Sequence, residues 1–149
     1  MNPPLRDKED MEALVEGILD GTIDMIATDH APHSDEEKSR GLAKSAMGVV
    51  GIESAFPLMY TYFVKTGKMT LETLIDRMVY APKKRFRLDG GINVGDRAEI
   101  TVFDLNAEYT IDPADFLSKG KATPFEGWKV HGKCKLTICG ENVAYENID

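Results

Sequence analysis

The segment "MIATDHAPH", residues 25–33, restricts the possible folds more than any other part of the chain. Its first four residues are apolar or small without alternation, which is typical of a β-strand covered on both faces. The run stops at Asp29, and two of the three histidines of the chain, His30 and His33, follow at once. Helical patterns flank this strand. The order helix–strand–helix indicates an α/β fold with polar residues at the carboxyl end of the strand.

The local patterns predict where these elements lie. Residues 7–20 place their apolar side chains on one helical face, with acidic residues in the first turn and a glycine directly after the last. Residues 22–29 are the predicted strand, and residues 30–51 are expected to form a loop. Two further helices are predicted over 53–65 and 70–86, and the second has Thr70 as its N-cap and Pro82 near its end.

From about residue 90 the pattern changes to alternation. Apolar and polar residues alternate in 94–111 and 128–146, and Gly-Asp and Gly-Glu-Asn turns interrupt them. We therefore predict antiparallel strands of a small β-module. The expected division is an α/β segment over residues 1–89 and a β-strand module over residues 90–149.

Composition excludes several classes of protein. Of the 149 residues, 42% are apolar and 29% are charged, which is typical of a soluble globular chain. The net charge is −7 and the sequence has no cluster of Lys or Arg, so we expect neither nucleic acid nor a membrane as a partner. Cys134 and Cys139 have an odd spacing, which places them on opposite faces of a strand. Free thiols and the lack of a signal-peptide pattern favour a cytoplasmic protein.

Asp29 has two possible roles when the residues alone are considered. An Asp before a loop is often only a cap, and His-Ala-Pro-His could be an exposed loop. In α/β barrels, however, acids at the carboxyl ends of the strands face the ligand site. An Asp there can bind a divalent cation and transfer protons, and His33 could donate a hydrogen bond to an anionic substrate. Residue types leave both interpretations open.

Five motifs carry a resemblance to a known family. They are "NPPLR" at 2–6, "DGTIDMIATDHAPH" at 20–33, "GIESAFPLMY" at 51–60, "GDRAEITVFDL" at 95–105 and "TPFEGWKVHGK" at 123–133. In this order they resemble the bacterial-type dihydroorotases of the amidohydrolase superfamily over essentially the whole chain. The resemblance implies the last strand and helices of a (β/α)8 barrel, followed by the small β-module of the amidohydrolase composite domain.

The same resemblance implies an activity. Dihydroorotases interconvert the cyclic amide dihydroorotate and carbamoyl-aspartate in pyrimidine biosynthesis, and they use one or two zinc ions. Asp29 matches the family aspartate that is both a metal ligand and the general acid/base, which moves the proton of the attacking zinc-bound hydroxide to the leaving ring nitrogen. His30 is not expected to be a ligand and would only orient Asp29.

Four residues match substrate-binding positions of the family. Asn2 matches an asparagine that binds substrate through hydrogen bonds, and His33 matches a histidine that contacts the substrate, in our interpretation at its carboxylate. Met47 and Gly48 stand where the family has Phe-Gly, and their backbone groups are expected to contact the pyrimidine. Met47 in place of Phe changes the apolar wall of the site.

Most of the expected enzyme is not in this sequence. A barrel of this type needs about 250 residues, and the chain contains no His-x-His pair, which supplies metal ligands in the family. We therefore expect the C-terminal segment of a longer dihydroorotase, which is inactive and prone to self-association when alone. Its expected partners are the N-terminal part of the barrel and the small-molecule substrate, with a homo-oligomer or aspartate carbamoyltransferase as further possibilities.

Two other functions are open. The chain could be an inactive dihydroorotase-like scaffold that binds aspartate carbamoyltransferase. Inactive relatives would be expected to lose the aspartate and the histidine, whereas this sequence keeps Asp29 and His33. It could also belong to a hydantoinase- or allantoinase-type cyclic amidohydrolase.

Overall fold

A computed structural model describes residues 4 and 6–148 of the chain. The first element, α1, spans Lys8–Asp20. It begins where the side chain of Asp7 accepts a hydrogen bond from the backbone N–H of Asp10. It ends at Gly21, which adopts the left-handed conformation that terminates many helices. The first predicted helix is therefore confirmed.

The predicted strand over residues 22–29 is wrong as a regular element. The segment has no ladder of hydrogen bonds with a neighbouring strand. Its backbone contacts are single ones: the N–H of Ile26 donates to the carbonyl of Arg77 at 3.0 Å, and His30 forms an isolated parallel bridge with Val49. A strand forms only when a second strand accepts and donates its hydrogen bonds. Within the part of the chain that is described, no such neighbour lies beside this segment.

A short helix interrupts the predicted loop. This helix, α2, spans Asp35–Lys38. Ser34 and Glu37 form a reciprocal capping box, in which each side chain accepts the backbone N–H of the other residue. The loop prediction over residues 30–51 is wrong at this turn, because the pair Ser34 and Glu37 starts a helix within the acidic sequence.

The two later helices are confirmed, but each contains a wider turn than expected. Helix α3, Ala55–Met59, continues directly into a π-helix, Tyr60–Val64. Helix α4, Leu71–Ile75, continues into a second π-helix, Asp76–Tyr80, and then into α5, Ala81–Phe86. A π turn shifts the backbone hydrogen bonds by one residue, which gives the helix a local bulge.

The β-module is an antiparallel sheet of three strands in the order β1-β2-β3. Strand β1 spans Glu99–Thr110, β2 spans Lys129–Cys139 and β3 spans Asn142–Glu146. The alternating segments of the sequence predicted these strands correctly. Both cysteines lie on β2 and are free, one half-buried and one exposed.

The sheet packs against the α3 helix. The rings of Phe56 and Phe103 stack with their centroids 4.0 Å apart. Gly132 on β2 lies under the helix, and a Cβ atom there would be 3.3 Å from the ring of Phe56. The hydroxyl of Tyr62 donates to the carbonyl of Lys129 at 3.1 Å. The helical and β parts therefore share one core.

That core is small for a chain of this size. The accessible surface is 10511 Å², whereas a compact monomer of 16.5 kDa exposes about 7,500 Å². Apolar side chains on the outer face of α1 contribute to the difference, among them Met11, Leu14 and Leu19. Large uncovered apolar surfaces normally mark contacts with other protein. No helix in the described part of the chain is long and apolar enough to cross a membrane.

The first prediction concerns the centre of this core. Leu74 is 0% exposed, so Leu74→Ala should lower the free energy of unfolding by about 2–4 kcal/mol. Leu42 is 99% exposed, so the matched variant Leu42→Ala should change it by less than about 0.5 kcal/mol. Urea unfolding of the three proteins measures both values. Equal effects of the two substitutions would contradict the described packing.

Candidate functional site

Three chain segments meet where the extended segment 22–29 ends. Residues 28–33 run beside residues 47–51, and residues 118–122 of the β1–β2 connection lie against both. The contacts that hold them are two backbone hydrogen bonds, from Ala31 N–H to the Val49 carbonyl at 3.0 Å and from Val50 N–H to the Ala122 carbonyl at 2.8 Å. Gly120 packs so closely that a Cβ atom would lie 2.6 Å from the carbonyl oxygen of His33.

Asp29 stands out in this site by its backbone. Its φ angle is +47°, in the left-handed region that residues other than glycine rarely adopt. Aspartate adopts this region more readily than most L-residues, for which it costs about 1–2 kcal/mol, so the strain at Asp29 is modest. The side chain is exposed, and its carboxylate has no hydrogen-bond or ion-pair partner among the described residues. A strained aspartate with a free carboxylate is available to a ligand.

The ring of His30 is bound on both sides. The backbone N–H groups of Gly51 and Ile52 donate to its Nδ1 atom at 3.2 and 3.3 Å. Its Nε2 atom lies 3.5 Å from the hydroxyl of Ser118. The ring therefore faces the neighbouring segments instead of the carboxylate of Asp29. Any effect of His30 on Asp29 passes through the backbone.

His33 and Met47 are brought together as predicted site residues. The Nε2 atom of His33 donates to the carbonyl oxygen of Met47 at 3.0 Å, and its Nδ1 atom lies 3.5 Å from the Glu37 carboxylate. The backbone N–H and hydroxyl of Ser34, and in lesser measure His33, hold the pKa of Glu37 below its ordinary value. The acidic loop thus supplies a carboxylate beside His33.

One side chain of the α2 helix binds the carbonyl groups on either side of Met47. The ammonium group of Lys38 donates to the carbonyls of Ala46 and Gly48 at 3.0 and 2.9 Å. The N–H groups of Met47 and Gly48 donate to no acceptor within the described chain and are left for a ligand. Asn2, the fourth predicted substrate-binding residue, lies outside the described residues.

Glu53 and Ser118 are site residues that the sequence reasoning missed. The carboxylate of Glu53 accepts the backbone N–H groups of Leu117 and Ser118 at 2.7 and 3.0 Å. Partial burial raises the pKa of Glu53, but the hydrogen bonds from Ser118 and Leu117 and the charge of Lys121 outweigh this and hold that pKa below its ordinary value. The sequence indicates Glu53 through its position, because it is a single acidic residue near the start of the apolar segment 51–60.

The described residues do not form a complete metal site. Among residues 4 and 6–148, no three His, Cys, Asp or Glu side chains come close enough together to hold a metal ion. Zinc sites in proteins use about three or four protein ligands. Asp29 could supply one of them through its free carboxylate.

Comparisons with known proteins agree on one family. The family model described as "Amidohydrolase family" matches residues 4–143. A curated dihydroorotase of Anoxybacillus flavithermus is 53% identical over 98% of this chain. The match spans 34% of that protein, so the chain covers about a third of the length of this relative.

Solved structures show the same likeness. The L-hydantoinase (dihydropyrimidinase) of Arthrobacter aurescens superposes with a TM-score of 0.85 and 33% identity, covering 97% of this chain and 33% of that one. An inactive dihydroorotase-like domain of a Chaetomium thermophilum CAD-like multifunctional protein has a TM-score of 0.67 at 24% identity. The superposition covers 94% of this chain and 37% of that one. The predicted fold class, an α/β segment of an amidohydrolase barrel followed by a small β-module, is confirmed.

A second prediction follows from the packing at Gly48. Its φ angle is +138°, and a Cβ atom there would lie 2.6 Å from both the Cβ and the carbonyl oxygen of Ala31. Gly48→Ala should therefore lower the free energy of unfolding by more than about 2 kcal/mol. Gly41, with φ +78° and open space around it, is the matched control, and Gly41→Ala should cost about 1 kcal/mol. Thermal unfolding compares them, and equal losses would argue against the close packing of these two segments.

The third prediction concerns stability in acid. Because folding lowers the pKa of Glu53, its contribution is present above the unfolded value of about 4.3 and is lost as the pH falls through the folded value. Between pH 6 and pH 3 the wild-type chain should lose more stability than Glu53→Gln. Urea midpoints across this range measure the difference. The control Glu72→Gln, at an exposed side chain, should follow the wild type; a Glu53→Gln curve parallel to the wild type would refute the assignment.

Proposed function

The chain belongs to the amidohydrolase family, and from this membership we propose that it is part of a longer cytoplasmic dihydroorotase. That enzyme would catalyse the reversible hydrolysis of dihydroorotate to carbamoyl-aspartate in pyrimidine biosynthesis. The observation that carries the proposal is Asp29, a strained residue with a free carboxylate beside the segment that contains His33, Met47 and Gly48. Identity of 53% to a curated dihydroorotase supports this choice of substrate.

Asp29 would move the proton in this reaction. In hydrolysis, a water molecule attacks the ring carbonyl, and a carboxylate within reach takes the proton of that water as general base. The same group then gives the proton to the leaving ring nitrogen, and ring closure uses the reverse order. Asp29 is exposed, and no described residue forms a hydrogen bond or ion pair with its carboxylate that would compete for the proton.

His33, Met47 and Gly48 would hold the substrate. The contact of His33 Nδ1 with Glu37 is long, at 3.5 Å, whereas its Nε2 contact with the Met47 carbonyl is 3.0 Å. A substrate carboxylate would therefore replace Glu37 at Nδ1 of the imidazolium form, in which both ring nitrogens donate, while the bond to Met47 stays intact. The free N–H groups of Met47 and Gly48 would donate to a ring carbonyl. Asn2 remains a predicted fourth contact.

The metal that the family implies does not fit this chain alone. Asp29 would supply one ligand, and the other ligands of one or two zinc ions would come from residues outside the described chain. The residues of this chain would supply the proton transfer and the contacts with the substrate.

The large exposed surface of the chain supports an interaction with a further protein segment that would cover it. The chain exposes about 3,000 Å² more than a compact monomer would, and the apolar side chains of α1 lie on that surface. The upstream part of the barrel would cover it, because the curated dihydroorotase is about three times as long as this chain and the extended segment 22–29 pairs with no strand among the described residues. A homo-oligomer or aspartate carbamoyltransferase is placed second.

Two alternative functions have less support. An inactive scaffold does not require a carboxylate at Asp29 that is free of partners among the described residues, whereas a proton carrier does. A hydantoinase-type activity is consistent with the fold, but the sequence identity to the L-hydantoinase is 33%, against 53% to the dihydroorotase. Dihydroorotate is thus the first substrate to test.

The fourth prediction tests this function in a complete enzyme. A chimera would carry this chain in place of the matching segment of the Anoxybacillus flavithermus dihydroorotase. We expect it to hydrolyse dihydroorotate, and Asp29→Asn should lower kcat by about 100- to 10,000-fold because the proton carrier is lost. Absorbance of dihydroorotate follows the reaction.

The control for this experiment lies in the same extended segment. Asp24 is also exposed, and Asp24→Asn should leave kcat within about twofold of the parent. Near-normal activity of Asp29→Asn would disprove its acid/base role. If a hydantoin without a carboxylate were hydrolysed faster than dihydroorotate, the hydantoinase alternative would replace the present proposal.

A further inference from the structure

Among the residues of the β1–β2 connection that border the candidate site, Ser118 is the one whose side chain meets His30. Ser118 lies in the connection between β1 and β2, far along the sequence from Asp29. The carboxylate of Glu53, just before α3, accepts the N–H groups of Leu117 and Ser118 at 2.7 and 3.0 Å. Two hydrogen bonds to one carboxylate fix the direction of this short segment. Ser118 is therefore held in place by the helical part of the chain.

The hydroxyl of Ser118 meets the ring of His30. Because backbone N–H groups can only donate, the two that point at His30 Nδ1 require a lone pair on that atom. The ring hydrogen then resides on Nε2, which lies 3.5 Å from the Ser118 hydroxyl. The Ser118 oxygen is the acceptor in this contact. The geometry thus assigns one tautomer to His30.

His30 in turn borders the strained residue. Its backbone N–H donates to the hydroxyl of Thr28 at 3.3 Å, and the next N–H, of Ala31, donates to the Val49 carbonyl at 3.0 Å. The peptides on both sides of His30, the first of which joins it to Asp29, are therefore held by hydrogen bonds, and the ring contacts restrict rotation of the His30 backbone. An Asp at φ +47° would relax to an ordinary conformation if these ties were loosened.

We propose that Ser118 is a positioning residue, which acts through the ring of His30 to keep Asp29 in its left-handed conformation. The β-module then contributes to catalysis without touching the substrate. The link between Ser118 and His30 stands on geometry alone, whereas the effect on catalysis rests on the proposed function. The two parts are tested by separate measurements.

Nuclear magnetic resonance of the full chain tests the first part. Only three histidines are present, so His33→Gln and His131→Gln assign the imidazole nitrogen signals of 15N-histidine-labelled protein. We expect the His30 hydrogen on Nε2. In Ser118→Ala this hydrogen should exchange with water about fivefold faster, because its acceptor is lost. Ser118→Thr keeps the hydroxyl and should exchange at the wild-type rate.

The dihydroorotase chimera tests the second part. Ser118→Ala should lower kcat about fivefold and leave KM within about twofold, because the substrate contacts of His33, Met47 and Gly48 are intact. Ser118→Thr should restore kcat. Ser39→Ala removes a serine hydroxyl that bonds an exposed carbonyl and should change neither constant. Urea midpoints of all variants show whether each is folded.

The outcomes separate the two proposals. A hydrogen on Nδ1 of His30, or an unchanged exchange rate in Ser118→Ala, overturns the positioning role. So does a folded Ser118→Ala chimera with full kcat, or one in which Ser118→Thr fails to restore activity. If the parent chimera does not hydrolyse dihydroorotate, the proposed function fails, and the exchange rates still decide whether Ser118 holds His30.

Discussion

The imidazole of His30 is the contact on which the site depends. Its Nδ1 atom accepts the N–H groups of Gly51 and Ile52, and its Nε2 atom faces the hydroxyl of Ser118. One ring thereby joins three chain segments that are distant in sequence. Within the part of the chain that is described, isolated backbone hydrogen bonds, such as that from Ala31 N–H to the Val49 carbonyl, also join these segments. Asp29 lies directly before His30 in the chain.

The strain at Asp29 and the freedom of its carboxylate have a common explanation. An aspartate gains free energy by accepting a hydrogen bond from a neighbouring donor and, to a lesser extent, by adopting an ordinary φ. Asp29 does neither among the described residues. Such a group is ready to bind a substrate, a proton or a cation. The same reasoning applies to the free N–H groups of Met47 and Gly48.

The sequence predicted the elements in which apolar residues recur at regular intervals. It missed the short element that depends on one pair of interacting side chains. The alternation in 94–111 and 128–146 predicted the antiparallel strands, because one face of this sheet packs on the helices. The short α2 helix depends on the single pair Ser34 and Glu37. The apolar run before Asp29 was read as a strand, yet a strand also needs neighbours, and apolar content cannot supply them.

The sequence by itself determined the family, the β-module and the candidate residues Asp29, His33, Met47 and Gly48, because these depend on residue type and order. The tertiary structure decided how they are held. The tautomer of His30, the pairing of Glu53 with the segment at Ser118 and the left-handed φ of Asp29 arise from contacts between segments up to 88 residues apart. Such contacts produce no repeating pattern in the sequence. Each involves a single side chain, and the tertiary structure determines which residue it contacts.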